Sequence, residues 1–502
     1  MPVTAAILRT AERAPERLAI AGVDGMLTYA ELLADSRRVF AAVDELHDRQ
    51  EHPPAPAAET QGIPITAVSL DSSFHTSRII AGLAGYRAVS ATLDPRWPLD
   101  HRVRVILSTG VGVVVSDAAD LAEALEREGW GGTVIGSSAF RALEARTVPR
   151  AEPGVRAGSE PFLLLFSSGT TSDPKAFLKT RDQYRENLAI STAHLEPHPG
   201  VATLAPGPVS YSLTLYALVE CLATGGSAHM ADVFDAVAMG RRIHDASISR
   251  VVAVPAIVQA LAVAARRDPE RFASLDVIVT GGANLPASVR DGVQTALPQA
   301  TLISYYGAAE IGFIGDSRGG DGTRISVYDG VAVDIRDERG APVDDGELGT
   351  IWASTPACSD GYLAGTTNAT LRADDGWATV HDQGRIVRGK LELVGRADDI
   401  AITGGHKVAL PEVERAFAGV DGISAVCAVA LPHARLGNVI ALAIEGGAPD
   451  RDVLLATAKA RLAPQFVPGR WYRIPELPRT VGGKIRRGAT ADLIAAGEAE
   501  RL

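Results

Sequence analysis

The runs Ile65-Thr-Ala-Val-Ser-Leu70, Ile79-Ile-Ala-Gly-Leu-Ala-Gly-Tyr-Arg-Ala-Val89, Ser90-Ala-Thr-Leu93 and Gly112-Val-Val-Val-Ser-Asp117 decide the fold class. The short apolar runs read as strands buried on both faces, and helical patterns lie between them, one beginning near Pro98. Such alternation means an α/β fold with a mostly parallel sheet. Towards the N-terminus the sequence predicts a helix, a short turn segment around Met26–Tyr29 and a helix over Tyr29–Val43, then a Pro-rich polar loop over 48–61. Towards the C-terminus a Pro/Gly/Glu-rich connector spans 147–160. A second α/β region follows, with strands near Leu163–Phe166, Ala202–Leu204, Ser227–His229, Val251–Val254, Val277–Val279 and Leu302–Tyr305. From about Ile325 to Val394 short β runs (VAVDIRD, LGTIWAS, ATVHD, LELVG) alternate with turn residues, as in a small antiparallel unit. The last hundred residues predict a small α+β unit, with a helix near Pro411–Ala418 and strands at Ala425–Leu431 and Val439–Ala443.

Single hydrophobic cores stop growing at roughly 250–300 residues, so a chain of 502 residues, 46% hydrophobic and 22% charged, divides into at least two domains. A net charge of −11 argues against nucleic acid as the main partner. No apolar run is long enough to span a bilayer, and the N-terminus has no apolar segment of signal-peptide type. Cys221, Cys358 and Cys427 are odd in number and far apart, which suits neither a disulfide framework nor a zinc site; a reducing cytoplasm is expected. Only six lysines (175, 179, 390, 407, 459 and 484) stand among 49 basic residues. Arginine is the default cation, so a lysine marks a place that wants a compact ammonium rather than a planar fork.

Four segments carry chemistry. Phe166-Ser-Ser-Gly-Thr-Thr-Ser-Asp-Pro-Lys175 follows an apolar strand and can offer N–H groups, hydroxyls and an ammonium to polyphosphate oxygens, or simply form a polar strand-to-helix turn. It is not a P-loop, lacking the second glycine and having proline before the lysine. Ser304-Tyr-Tyr-Gly-Ala-Ala-Glu310 sets an aromatic ring that can stack on a base beside a carboxylate that can hold Mg²⁺. Gly395-Arg-Ala-Asp-Asp-Ile-Ala-Ile-Thr-Gly-Gly-His406, with Pro411-Glu-Val-Glu414 after it, reads as a domain hinge or a solvated turn. Pro478-Arg-Thr-Val-Gly-Gly-Lys-Ile-Arg-Arg487 puts a lysine on a glycine turn, within reach of a ligand or facing solvent.

In this order and spacing the four segments resemble the ANL superfamily of adenylate-forming enzymes: acyl- and aryl-CoA synthetases, peptide-synthetase adenylation domains and firefly-type luciferases. The likeness runs from Met26-Leu-Thr-Tyr-Ala-Glu-Leu32 to Lys484, through Leu93-Asp-Pro-Arg-Trp-Pro98, Gly281-Gly-Ala-Asn-Leu285, Gly346-Glu-Leu-Gly349, Gly361-Tyr362 and Trp377 to Asp382. It implies a large AMP-binding N-terminal domain, 1–397, made of two α/β subdomains (about 1–150 and 160–325) and a small β subdomain (326–397). A mobile α+β C-terminal domain, 398–502, would carry the catalytic lysine. It further implies that Ser168, Gly169, Thr170, Thr171 and Lys175 wrap the β- and γ-phosphates of ATP, that Gly282 and Ala283 line the adenine pocket and that Tyr306 stacks on adenine. Glu310 would bind Mg²⁺, Asp382 would accept from both ribose hydroxyls with Arg396 nearby, Asp398 would be the hinge, and Lys484 would bridge the substrate carboxylate and the α-phosphate.

The chain departs from the family pattern at Ser172-Asp173 (loop glycine), Ala309 (threonine), His381 (glycine) and Ile402 (a basic or polar residue). Amino-acid-activating relatives place an aspartate for the substrate ammonium where Val209-Ser-Tyr-Ser-Leu-Thr-Leu215 has Ser212. A non-amino carboxylic acid is therefore expected, in a pocket lined by Tyr211, Ser212, Gly281 and Tyr305. The expected acceptor is coenzyme A, with a carrier-protein phosphopantetheine as the alternative; a nucleotide-binding homologue without catalysis is a third reading. Gly315-Asp-Ser-Arg-Gly319 matches a nucleophile-elbow pattern without the strand-to-helix turn that it needs. His194, His198 and His244 lack partners at ligand or triad spacing and read as surface histidines.

Overall fold

Ile65–Ser69 is buried at every position and pairs in parallel with Val89–Thr92 on one side and Val111–Ser116 on the other, as its unbroken apolar pattern requires. The computed structural model describes residues 2–167, 175–282, 285–318, 323–396, 399–403, 406–433, 435–447, 449–480 and 483–502. Among these residues the strands form three sheets. In the first, of six strands, the order is Thr133–Ile135, Val111–Ser116, Ile65–Ser69, Val89–Thr92, Pro161–Phe166 and Ala176–Thr180, the last pair antiparallel.

The second sheet has thirteen strands. Leu18–Ala21, Ser227–Met230, Ala202–Ala205, Arg250–Ala253, Val277–Thr280 and Thr301–Ala308 run parallel in that spatial order, and Met26–Thr28 closes the edge beside Leu18–Ala21. Beyond Thr301–Ala308 the pairing turns antiparallel through Gly312–Arg318, Arg324–Val327, Lys390–Arg396, Asp382–Val387, Gly349–Ser354 and Ala332–Arg336. The short β runs expected after Ile325 thus continue the parallel sheet.

The sheets do not follow the sequence segments. Leu18–Ala21 reaches across to pair with Ser227–Met230, and Pro161–Phe166 joins Val89–Thr92. Both are short apolar strands whose partners are chosen by burial far along the chain, for which no local pattern exists. ATVHD (378–382) is not a strand up to its last residue: Ala378 makes isolated bridges to Ala353 and Arg372, His381 is left-handed at φ 64°, and the strand begins at Asp382. The helix over Tyr29–Val43 runs on to Asp48, started by a capping box between Thr28 and Glu31.

A core containing Phe162, Tyr184, Tyr216 and Phe313 is shared by the first two sheets. The C-terminal segment has its own six-stranded sheet, with Gly437–Glu445 between Ala425–His433 and Arg470–Ile474, and its own core, where Phe417 and Trp471 meet edge to face at 5.6 Å. No helix among the described residues is long and apolar enough to cross a membrane. All three cysteines are free and buried; burial pushes the Cys221 and Cys427 thiols up to about 12, which makes them inert as nucleophiles.

Candidate active site

Tyr306 lies near the end of Thr301–Ala308, where the ladder shifts register at Tyr306/Gly307. A side chain at Gly307 would come within 2.4 Å of the Gly312 carbonyl oxygen, so glycine is needed for this approach. The Tyr306 hydroxyl donates to Asp382 Oδ2 at 2.9 Å. Asp382 pairs across the ladder with Arg396, whose Nε lies 3.4 Å from Asp382 Oδ1. The left-handed His381 turns the chain into this strand, in a backbone conformation that glycine adopts at no steric cost. Burial raises the Asp382 carboxyl above the ordinary range, opposed by Arg396, by the Tyr306 hydroxyl and by Lys484. A carboxylate accepts about four hydrogen bonds, so these partners leave capacity for a diol.

Glu310 follows on the next turn, 6% exposed. Its Oε1 accepts from the Tyr362 hydroxyl at 3.2 Å, and its carbonyl accepts from the Ser359 N–H at 2.8 Å and from Lys179 Nζ at 2.7 Å. Burial raises the Glu310 carboxyl, opposed by the Tyr362 bond and the Lys179 charge among others. The Lys175 ammonium sits 5.2 Å from the centre of the Tyr362 ring. Ser167 and Lys175 are bonded to each other through Ser167 N–H to the Lys175 carbonyl at 2.9 Å and Lys175 N–H to Ser167 Oγ at 3.1 Å, which closes the base of the polar loop. Ser168, Gly169, Thr170 and Thr171, with Ser172 and Asp173, lie outside the described residues, as do Ala283 and Asp398.

No group of three or more His, Cys, Asp or Glu that could hold a metal ion occurs among the described residues. A lone buried carboxylate does fit Mg²⁺, which is commonly held by one or two carboxylates together with substrate phosphates and water.

Lys484 approaches from the C-terminal segment on a turn closed by Thr480 N–H to the Lys484 carbonyl at 2.7 Å and Lys484 N–H to Thr480 Oγ1 at 3.1 Å, with Gly483 left-handed at φ 80°. Burial lowers its ammonium pKa, Arg396 lowers it further, and Asp382 opposes both. The lysine and the Asp382–Arg396 pair thus act on one another electrostatically. Three residues on, Arg487 Nε donates to Asp399 Oδ1 at 2.6 Å, while its Nη1 binds Glu414, so the lysine's turn is tied to the residue next to the expected hinge.

Of the residues expected to line the acid pocket, Gly281 and Tyr305 pack on each other, while Tyr211 and Ser212 stand at the start of a helix. A side chain on Gly281 would lie 2.4 Å from the Tyr305 ring, so that ring packs directly on the glycine backbone. Tyr305 meets Phe313 edge to face at 4.8 Å, and Phe313 meets Tyr216 at 4.7 Å. Tyr211 precedes the helix Ser212–Ala223, with Arg96 5.9 Å from its ring centre; burial and the Asp94 carboxylate push its hydroxyl up to about 12. Gly282 is left-handed at φ 78° and has open space where a side chain would be.

Ser317 lies buried within the strand Gly312–Arg318, which disposes of the nucleophile-elbow match. His194 stacks on Tyr328 at 4.1 Å, and His244 lies 3.1 Å from Asp245. Two site residues, Lys179 and Tyr362, were not assigned roles from the sequence. Tyr362 belongs to a quoted landmark, and Lys179 is one of only six lysines; those were the available signals.

The family model described as AMP-binding enzyme matches residues 7–363. The chain belongs to this family, and its fold is that of the ANL superfamily of adenylate-forming enzymes. Among its relatives, an uncharacterized acyl-CoA ligase, YhfT, of Bacillus subtilis (strain 168) is 27% identical over 497 residues, covering 97% of each chain. A feruloyl-CoA synthase of an Amycolatopsis species is 28% identical over 347 residues, 65% of this chain and 68% of that one. In fold, ATP-bound MatB from Rhodopseudomonas palustris superposes with a TM-score of 0.85 at 21% identity, over 97% of this chain and 98% of that one. The o-succinylbenzoate CoA synthetase MenE of Bacillus subtilis, in complex with an acyl-adenylate, gives 0.82 at 19% identity, over 96% and 97%.

Proposed function

We propose that this enzyme is an acid–thiol ligase that activates a non-amino carboxylic acid with ATP and Mg²⁺ and passes the acyl group to the thiol of coenzyme A. The observation that carries the reading is the bonded Tyr306–Asp382–Arg396 cluster at the end of one strand, with the buried Glu310 carboxylate on the turn that follows that strand and the charges of Asp382 and Arg396 acting on Lys484.

In the first half-reaction an oxygen of the substrate carboxylate attacks the α-phosphorus, the bond to the bridging oxygen breaks, and pyrophosphate leaves. Like charges approach one another in that step. Lys484 would lie between them as a positioned cation during this step, and losing one such donor typically costs ~10²–10³ in rate. Asp382 holds the ribose hydroxyls, Tyr306 and Gly282 border the adenine, and Lys175 with the Ser168–Thr171 loop takes the β- and γ-phosphates. Magnesium, held by Glu310, would supply charge neutralisation on the phosphate oxygens. In the second half-reaction the thiol sulfur attacks the acyl carbon, its proton is lost to solvent, and AMP leaves. A hinge at Asp398 between 1–397 and 398–502 would withdraw Lys484 to open the thiol's path.

Ser212 in place of an acidic residue supports a non-amino acid, because a buried ammonium would lack its counter-charge. The ligase names of the relatives support coenzyme A over a carrier protein. Three free thiols support a cytoplasmic site of action. ATP–pyrophosphate exchange across a panel of carboxylic acids, with and without Mg²⁺, tests the reading. Exchange that depends on the acid and on Mg²⁺ is expected; none with any acid, despite ATP binding, would favour a non-catalytic homologue.

A further inference from the structure

Lys179 is a buried cation for which the proposed chemistry has no use. It sits at the inward-facing end of the strand Ala176–Thr180, 3% exposed, in a chain whose default cation is arginine. Burial is the main cause that lowers its ammonium to about 8, with Cys358 and Glu310 opposing and Arg372 adding to it. Isolated charges are costly to bury and are kept where they are bonded. Here the bonds go to main-chain carbonyls: Nζ donates to the Glu310 carbonyl and to the Ala357 carbonyl, each at 2.7 Å. A tetrahedral ammonium can serve two acceptors that converge from separate segments, which a planar guanidinium would find harder.

The two acceptors belong to the two segments that support one carboxylate. The Ala357 segment also supplies the Ser359 N–H, which fills the other side of the Glu310 carbonyl at 2.8 Å, and Tyr362, whose hydroxyl bonds Glu310 Oε1. That segment is anchored elsewhere too: Arg372 donates to the Ser359 and Cys358 carbonyls, and Phe177, two residues before Lys179, bridges to Tyr362. A capping box at Thr180 and Gln183 fixes the chain directly after Lys179. The ammonium thus clamps a strand, the Glu310 turn and the 355–362 segment at one point.

We propose that Lys179 is a positioning residue that sets the place of the Glu310 carboxylate, and through it the metal-dependent part of ATP binding, by holding the Glu310 and Ala357 carbonyls together. The inference rests on the reading of Glu310 as the Mg²⁺ ligand. Outer partners of metal ligands typically cost ~10–100-fold in metal affinity or activity when removed.

The test is calorimetric binding of ATP to the full-length protein, without acid, once with Mg²⁺ and once with EDTA. The ratio of the two affinities isolates the metal-dependent part. Lys179→Met keeps the shape but has no donor, and is expected to lower that ratio by ~10-fold or more while the EDTA affinity stays within about twofold. Lys179→Gln has two N–H donors on a shorter arm that does not reach both carbonyls, and should fall between wild type and Lys179→Met. An equal loss in Mg²⁺ and EDTA would mean general damage and overturn the proposal. So would a Lys179→Gln ratio at the wild-type value, an outcome that decides the matter even if Lys179→Met does not fold. A wild-type protein whose ATP affinity ignores Mg²⁺ overturns it as well. Mg²⁺-dependent ATP binding without exchange on any acid would instead sink the proposed ligase activity and leave the Lys179 comparison readable.

Discussion

The two halves of the candidate site are built differently. The half proposed to take the nucleotide is a set of polar groups bonded to one another: Tyr306 to Asp382, Arg396 to Asp382, Tyr362 to Glu310, and Lys179 and Ser359 to the Glu310 carbonyl. The half proposed to take the acid is held by ring contacts, with Tyr305 on Gly281 and against Phe313, and Phe313 against Tyr216. Bonded polar groups tolerate few replacements, since each removal strands a buried partner. Packed rings can be exchanged for others of similar volume, and each exchange reshapes the space beside them. A chemistry shared by many enzymes and a specificity that varies among them would be expected to divide along this line.

The largest effect expected is at Lys484, which the proposed reaction sets between the two halves. Lys484→Ala should cut acid-dependent pyrophosphate exchange by ~10²–10³ while ATP affinity, read by calorimetry, moves by only a few fold. An equal fall in both would mean that Lys484 serves the nucleotide half alone.

Within the nucleotide half, Asp382→Asn should weaken ATP binding by ~10–100-fold, because a charged acceptor facing Tyr306 and Arg396 becomes a neutral amide. The same residue sets a pH dependence. Burial raises the Asp382 carboxyl, with Arg396 the first of the groups opposing it, so the ionised form is present above that raised pKa and is lost as pH falls through it. ATP affinity should accordingly weaken at the acid end at a pH above the ordinary aspartate range, and the asparagine variant should lack this limb. A limb of equal size in both proteins would remove Asp382 from the role.

In the acid half, Tyr305→Ala should shift the preferred acids towards bulkier ones by ~10-fold in relative kcat/KM, a range typical of apolar pockets, with ATP affinity nearly unchanged. If ATP affinity fell with it, the two halves would not be separable. The smallest effect expected is at His381. His381→Gly removes a side chain from a left-handed position and should leave folding stability within about 1 kcal/mol of wild type by denaturant unfolding. A larger loss would show that the imidazole, and not the turn, supports Asp382.

The same division governs what could be read in advance. Glu310, Tyr306, Asp382, Arg396 and Lys484 stand in motifs of fixed spacing, because bonded groups demand particular residue types at particular places. Lys179 carries no motif: its partners are carbonyls, which every residue has, so only the scarcity of lysine pointed to it. Strands such as Ile65–Ser69 announced themselves by composition, whereas the choice of Ser227–Met230 as the partner of Leu18–Ala21 did not, since the pairing joins residues some two hundred positions apart. ATVHD looked like a strand by its β-branched residues, and a single left-handed residue overrode them.

That distant pairing bears on how the protein can be cut. Leu18–Ala21 and Met26–Thr28 form the outer edge of the thirteen-stranded sheet. A recombinant form begun after Tyr29, in the hope of trimming a short leading segment, would uncover the hydrogen-bonding edge of Ser227–Met230, whose last three residues are buried. Bare, apolar strand edges seek partners on other molecules. The first thirty residues are thus best regarded as a shield against self-association, and shortened versions of this enzyme are better made by trimming elsewhere.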